Sequence, residues 1–309
     1  MSHTAETAPA PAEDTGEALT TGGLSTGRRT KNVVATVVVY IAMGLALIPL
    51  VWVLYTVITR GFPAIVDADW WTKSQRGVLY QEAGGGALHA IVGTLVQTLI
   101  CSAISIPIGV LTAIYLVEYA SKDSKLGKAT TFMVDILTGV PSIVAALFIY
   151  SLWIVLFGFN RSGMAVALGL VLLMVPVIVR NTEEMLRIVP QDLREASYAL
   201  GVPKWKTILK IVLPTCISGI VTGIMLAIAR VMGESAPVLI LVGSTQSINW
   251  DPLNGSQSSL PLMMLDMYKA GTAEPTLEKL WGAALTLVLI IVILNVAARI
   301  ISARFSPKK

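Results

Sequence analysis

Six long apolar runs dominate this sequence and limit what it can fold into. A helix needs about 20 apolar residues to cross the hydrocarbon of a bilayer. Between the runs the charged residues form short blocks, and they make up only 14% of the chain, against about a quarter in soluble domains. The pattern predicts an all-α polytopic membrane protein with six transmembrane helices. The predicted spans are 33–59, 88–117, 131–157, 164–179, 214–242 and 281–301.

The basic residues in the flanks of these runs indicate an orientation. Lys and Arg accumulate on the cytoplasmic side of membrane proteins. If the amino terminus is cytoplasmic, 15 of the 23 Lys and Arg residues lie on that side and six lie outside. Only Arg180 and Arg230 then fall within the membrane. Both termini are therefore predicted to be cytoplasmic.

The runs also divide the chain into segments. Residues 1–32 are rich in Thr, Ala, Gly and Pro without apolar periodicity, which predicts a disordered cytoplasmic tail. The first helix at 33–59 is too long and too late for a cleavable signal. An extracytoplasmic loop at 60–87, a core domain at 88–304 and a cytoplasmic end at 305–309 are expected to follow. Within the core, "SLPLMMLDMYKAG" predicts either a short interfacial helix or a loop folded onto the membrane surface.

The loop between the fourth and fifth spans, "VPQDLREASYALGVPKWKTILKIVLP", carries helix signals. Pro190 suits a first helical turn, and Gly201 is placed to end the helix. A second short helix at 204–212 is expected to lead to Pro214. A compact helix–turn–helix of this kind suits docking into a groove on a soluble partner.

This loop resembles the EAA loop of ABC importer permeases, in which a coupling helix inserts into a cleft of the ATP-hydrolysing subunit. The resemblance covers residues 190–214 and implies the ABC type I importer permease fold. One position departs from the pattern, because Ser197 stands where the family usually has Ala. The implied ATPase-coupling residues are Glu195, Ala196, Ser197, Gly201, Leu213 and Pro214.

Four further blocks resemble the PstA family of permeases from bacterial phosphate importers. They are "GGGALHAIVGTL", "TAIYLVEYA", "DILTGVPSIVAALF" and "ARVMGESAPVLILVG". The resemblance implies a multi-pass protein of the bacterial plasma membrane and an ATP-driven import of inorganic phosphate. Its implied partners are a PstC-like second permease, a dimer of PstB-like ATPases and a PstS-like extracytoplasmic binding protein. The chain has no P-loop. ATP and Mg are therefore expected on the ATPases, with no cofactor in this chain.

The stretch "IARVMGESAP" places charges inside an apolar run. Arg230 lies 16 residues into the fifth span, about 24 Å along a helix. Glu234 is expected one turn further on the same face, and Pro237 would leave the carbonyl of Gly233 without its helical partner. An ionised side chain at mid-bilayer costs about 2.5–3.5 kcal/mol on insertion scales.

A second arginine lies at the end of the short fourth span. Arg180 is expected at the inner edge of the hydrocarbon, where Asp135 of the third span would lie at a similar depth and could pair with it. Arginine binds phosphate with a fixed fork of donors. The candidate substrate path therefore contains Arg230, Arg180, Glu234 and Asp135. The alternative is that these charges form ion pairs that fasten helices together.

Other interpretations remain open at this stage. A permease for molybdate or sulfate would carry the same loop. A secondary transporter or channel acting alone would explain the buried charges but not the EAA-like loop. An intramembrane enzyme is disfavoured, because no catalytic nucleophile and no metal-ligand spacing is found. Cys101 and Cys216 are expected at different depths and predict no disulfide. Glu118 is interpreted as an interfacial anchor before a gating contact.

Overall fold

The structure, a computed structural model, describes residues 26–121 and 123–305. Within these ranges it is helical and has no strand. The α-helices are α1 Thr26–Val66, α2 Ala68–Thr72, α3 Leu88–Ile114, α4 Lys125–Gly139, α5 Ser142–Ile149, α6 Gly163–Ile188, α7 Gln191–Ala199, α8 Lys204–Thr207, α9 Leu213–Met232, α10 Ala236–Leu241, α11 Leu260–Ala270 and α12 Glu274–Phe305. Three π-helical turns, Tyr115–Tyr119, Tyr150–Leu156 and Ile208–Val212, adjoin α3, α5 and α8.

Five helical runs of the described chain are long and apolar enough to cross a membrane. They are Thr30–Val66, Leu88–Tyr119, Gly163–Ile188, Lys204–Met232 and Glu274–Ala303. A sixth span requires α4 and α5 together, and these helices meet at an angle of 109°. The prediction of a multi-pass helical membrane protein is confirmed.

The predicted third span, 131–157, is not one straight helix. Val140 has an extended backbone, φ −72° and ψ 125°, and Pro141 is the N-cap of α5. A residue before proline is disfavoured in the helical region because the proline ring contacts its backbone. The chain therefore bends between α4 and α5.

The predicted fifth span, 214–242, is also not one helix. α9 ends at Met232, and α10 starts at Ala236 with Pro237 in its first turn. Proline has no N–H to donate, so it is tolerated at a helix start and disfavoured in the interior. The sequence predicted that the Gly233 carbonyl would lack a partner inside one continuous helix. In the structure one helix ends before Pro237 and another begins at Ala236.

Several helices are longer than the apolar runs that predicted them. α1 begins at Thr26 and ends at Val66, so the helix extends beyond the predicted first span, 33–59, at both ends. The rest of the predicted tail, residues 1–25, lies outside the described residues. α6 continues beyond position 179 to Ile188, through Arg180 and its polar neighbours. Hydropathy marks where a helix leaves apolar surroundings, and the backbone hydrogen bonds continue past that point.

The chain forms two units, divided between Tyr55 and Thr56. The described part of the first unit is the helical segment from Thr26 to Tyr55, which is apolar, and from Thr30 onward its side chains are exposed. In the second unit α3 packs along α6. Its main core includes Met174, Ile178, Leu241 and Leu262, all fully buried.

The segment "SLPLMMLDMYKAG" forms the helix α11, and its apolar side chains pack against other helices. Ser259 caps it by accepting a hydrogen bond from the Leu262 N–H at 3.3 Å. Leu260 and Met267 are fully buried in a core that includes parts of α3 and α12. The helix is therefore part of the second unit's interior.

Candidate functional site

Arg180 and Asp135, predicted at similar depths, form an ion pair in the structure. Arg180 of α6 donates through Nη2 to the Oδ1 of Asp135 on α4. Its Nη1 donates to the Oε2 of Glu183 at 2.8 Å. Glu183 is also 3.7 Å from Arg187 Nη2. The pairing prediction is confirmed, and Glu183 is an additional partner that the sequence reasoning missed.

Exposure differs across this cluster. The Glu183 side chain is only 5% exposed, whereas those of Arg180 and Asp135 are 35% and 59% exposed. A cavity of about 570 Å³ borders Asp135, Glu183 and Arg187. Arg180 therefore fastens α4 to α6, and its guanidinium has two carboxylates as partners.

Arg230 differs from Arg180 because it has no ion pair with any residue that the structure describes. It lies in the last turn of α9 and is exposed. Among the described residues no side chain forms a hydrogen bond or salt bridge with its guanidinium. The partial negative charge at a helix C-terminus stabilises a cation in the last turn. The end of α9 at Met232 thus offsets part of the free-energy cost of placing the Arg230 charge in the membrane.

The predicted placement of Glu234 on the same helix face as Arg230 is wrong. Glu234 lies between α9 and α10, in the turn where Gly233 N–H bonds the Arg230 carbonyl at 3.2 Å and Glu234 N–H bonds the Val231 carbonyl at 3.1 Å. It is half-buried. The internal ion pair considered from the sequence is absent between these two described residues.

The 190–214 loop has the predicted helix–turn–helix form. α7 runs from Gln191 to Ala199 after Pro190, and Gly201 ends it with φ +75°, a left-handed conformation that glycine adopts without strain. The following helical run differs slightly from expectation. α8, the Ile208–Val212 turn and α9 are consecutive, so Leu213 and Pro214 lie at the start of α9.

α7 presents its apolar residues outward. Glu195 and Ala196 are exposed, and so is Leu200, whose residue is 83% exposed. The inward side carries Arg194 and Ser197 instead. The Ser197 hydroxyl is 2.8 Å from the Thr207 hydroxyl, which joins α7 to α8. The departure from the EAA pattern at position 197 is therefore on the buried side of the helix.

Arg194 and Glu118 form a buried ion pair that sequence reasoning missed. Arg194 Nε and Nη2 donate to Glu118 Oε1 at 3.1 and 2.8 Å. The same guanidinium donates to the carbonyls of Val189 at 2.7 Å and Leu186 at 2.9 Å. Glu118 is thus buried in an ion pair, which its interpretation as an interfacial anchor did not predict. The sequence feature that could have indicated this pair is Glu118, a single carboxylate between Tyr115 and Tyr119 at the end of an apolar run.

The segment between α10 and α11 is held against α3. Leu260 N–H donates to the Thr94 hydroxyl at 2.9 Å, and Gln97 Nε2 donates to Gln257 Oε1 at 3.2 Å. Near its middle, the Leu253 N–H and the Asn254 amide lower the pKa of the Asp251 carboxyl. In the described ranges no group of three His, Cys, Asp or Glu residues is arranged to hold a metal ion.

Comparisons with known sequences support a transport family. Residues 105–309 match the family described as "Binding-protein-dependent transport system inner membrane component". The chain is 53% identical to "Phosphate transport system permease protein PstA 1" of Mycobacterium tuberculosis (strain CDC 1551 / Oshkosh) over 90% of each protein. It is 36% identical to "Phosphate transport system permease protein PstA" of Pasteurella multocida (strain Pm70), over 91% of this chain and 96% of that protein.

Solved structures give the same fold class. A chain of a bacterial alginate ABC transporter, crystallised with an alginate pentasaccharide-bound periplasmic protein, superposes with a TM-score of 0.62 at 12% identity. That match covers 90% of this chain and 97% of the other. A chain of the inward-facing MetNI methionine ABC transporter gives 0.56 at 20% identity, over 72% and 95%. The chain belongs to the binding-protein-dependent transport system inner membrane components and, within them, groups with the PstA proteins.

Proposed function

We propose that this chain is a permease subunit of an ATP-driven importer of inorganic phosphate. It is a transport subunit of the bacterial plasma membrane with both termini cytoplasmic, and it has no ATPase site of its own. The names of its relatives favour phosphate as the substrate.

The observation that carries the proposal is the exposed Arg230, which has no ion-pair partner in the described chain. An arginine facing lipid at this depth costs several kcal/mol. A second, PstC-like permease packed over this face removes that cost by enclosing the guanidinium in a polar path. Phosphate is then its natural partner, because the planar fork of arginine matches two phosphate oxygens.

The broken helices support a path at this place. Transporters often use the ends of discontinuous helices at the substrate site. Arg230 lies in the last turn before the break between α9 and α10, and Glu234 lies within that break. Asp135 lies close to the bend between α4 and α5. Arg180 contributes a second cation whose carboxylate partners keep the empty path from being too positive. Binding along such a path is weak, because a permease that held phosphate tightly would release it slowly.

The 190–214 loop supplies the contact with the ATPases. Its outward apolar surface suits the cleft of a PstB-like ATPase that binds ATP and Mg. Glu195 and Ala196 face the partner, Ser197 and Gly201 hold the loop's shape, and Leu213 and Pro214 connect it to α9. A PstS-like binding protein delivers phosphate from outside.

The test is ATP-driven uptake of radioactive phosphate into vesicles that contain the co-expressed assembly. Arg230→Gln is expected to lose uptake while assembly and basal ATP hydrolysis remain. Arg299→Gln is the matched control, since Arg299 is an exposed arginine on the apolar helix α12. Uptake of sulfate or molybdate in place of phosphate would refute the substrate, and unchanged uptake by Arg230→Gln would refute the path.

A further inference from the structure

The Arg194–Glu118 pair joins three elements. Arg194 belongs to α7, Glu118 to the π-helical turn that ends α3, and the two carbonyls that Arg194 bonds belong to the end of α6. The last carbonyls of a helix have no partner within it, so Arg194 caps α6 as well as neutralising Glu118. The residues are only 7% and 9% exposed.

Such a pair is expensive to separate. Removing one partner of a buried ion pair leaves an uncompensated charge, which is strongly destabilising. α7 therefore cannot move away from the ends of both α3 and α6 without losing these contacts. If α7 is displaced, these contacts persist only when the 115–119 turn and the end of α6 move with it.

A second contact joins the same elements. Lys204 of α8 lies over the ring of Tyr119, with its Nζ 5.1 Å from the ring centroid. Thus both arms of the 190–214 loop hold the Tyr115–Tyr119 turn. π-helical turns frequently occur at functional sites, and this one borders a cavity of about 660 Å³ that also contacts Arg194 and Lys204. The cavity gives the loop room to change its position.

We propose that Arg194 and Glu118 form a positioning joint that transmits movement of the 190–214 loop to α3 and α6. This inference rests on the proposed function, in which the loop is moved by ATPases. Neither residue touches substrate or ATP in this role. They determine instead how much of an ATPase movement reaches the helices that form the path.

The experiment measures ATP hydrolysed and phosphate accumulated together, in proteoliposomes containing the whole co-expressed complex. Glu118→Gln keeps the size of the side chain and an acceptor oxygen but removes the charge. The retained oxygen and the carbonyls of Val189 and Leu186 can still accept from the Arg194 guanidinium, so we expect a reduced but measurable amount of assembled complex that continues to hydrolyse ATP. Phosphate accumulated per ATP should fall about fivefold or more. A purely structural pair would lower assembly, hydrolysis and uptake in parallel.

Lys204→Gln tests the second contact without risk to folding, because Lys204 is exposed. We expect about a twofold reduction in phosphate per ATP. Lys206→Gln is the matched control, since Lys206 is also exposed and its Nζ lies over Trp205. Its ratio should remain native.

Four outcomes are decisive. A native ratio in Glu118→Gln, or a failure of that variant to assemble, would overturn the joint. An equal reduction by Lys204→Gln and Lys206→Gln would also overturn it. If the native complex shows no ATP-driven phosphate uptake, the proposed function itself fails, and the inference fails with it.

Discussion

Asn181 of α6 lies directly against Gly223 of α9. A Cβ atom built on Gly223 would be 1.6 Å from Asn181 Oδ1 and 1.9 Å from its Cγ. One turn earlier, a Cβ on Gly219 would be 2.1 Å from Met185 Sδ. Two glycines four residues apart allow close approach of membrane helices. This spacing is what brings α9 next to the polar stretch of α6 that follows Arg180.

Gly223→Ala is therefore expected to destabilise the protein. Overpacking of this kind costs about 1–3 kcal/mol, measured as a lower unfolding temperature of the purified complex. Asn181→Ala should suppress the effect, because the clash is with its side chain and its buried Oδ1 has no hydrogen-bond partner in the described chain. The control is Gly44→Ala in α1, where nothing lies within 4 Å. Native stability of Gly223→Ala alone would contradict the prediction.

Gly93→Ala is expected to behave differently, because its neighbour is main chain. A Cβ on Gly93 would be 1.9 Å from the Ser258 carbonyl oxygen, so Ser258→Gly should not rescue it. The segment between α10 and α11 must then move away from α3, with loss of the Thr94 and Gln97 contacts. Hydrogen exchange should show faster exchange of the Leu260 amide, which bonds Thr94 at 2.9 Å. Unchanged exchange at Leu260 would show that the segment tolerates the extra atom.

The apolar helices could be predicted because their signal is local, whereas their breaks could not. Pro107 and Pro176 lie inside the continuous helices α3 and α6, yet Pro141 and Pro237 lie at helix starts. Neighbouring helices and local adjustments can satisfy the groups that a membrane proline frees. Whether this happens depends on tertiary contacts, which hydropathy does not contain.

The Asp135–Arg180 and Glu118–Arg194 ion pairs show the same limit of prediction from the sequence. Asp135 and Arg180 were paired from the sequence because their expected depths matched. Glu118 and Arg194 are separated by 76 residues, and the sequence places both near a membrane surface, where water would solvate them. Glu118 and Arg194 are buried only because α7 packs against the end of α3. The sequence indicates which charges are at a given depth, and the fold decides which are buried.

The outward face of α7 can be tested with neighbouring substitutions. Ala196→Asp adds a charge to the exposed side and should abolish co-purification of the ATPase without changing the folding of this chain. Ser197→Ala removes the hydroxyl paired with Thr207, at a cost of about 1 kcal/mol, and the ATPase should still co-purify. The reverse result, with the ATPase lost in Ser197→Ala and kept in Ala196→Asp, would contradict this orientation of α7.

Arg180→Gln should lower stability more than Asp135→Asn. Without Arg180, the Glu183 carboxylate stays buried with only Arg187 near it, at 3.7 Å, at an expected cost of about 1–3 kcal/mol. Asp135 is exposed, so losing its charge should cost less than about 1 kcal/mol. The measurement is the unfolding temperature of the purified complex.

Arg187→Gln is the control, because its side chain is 68% exposed and its removal should change little. Adding Glu183→Gln to Arg180→Gln should restore stability, since this cluster then has no buried charge. Equal losses in Arg180→Gln and Asp135→Asn would contradict this account.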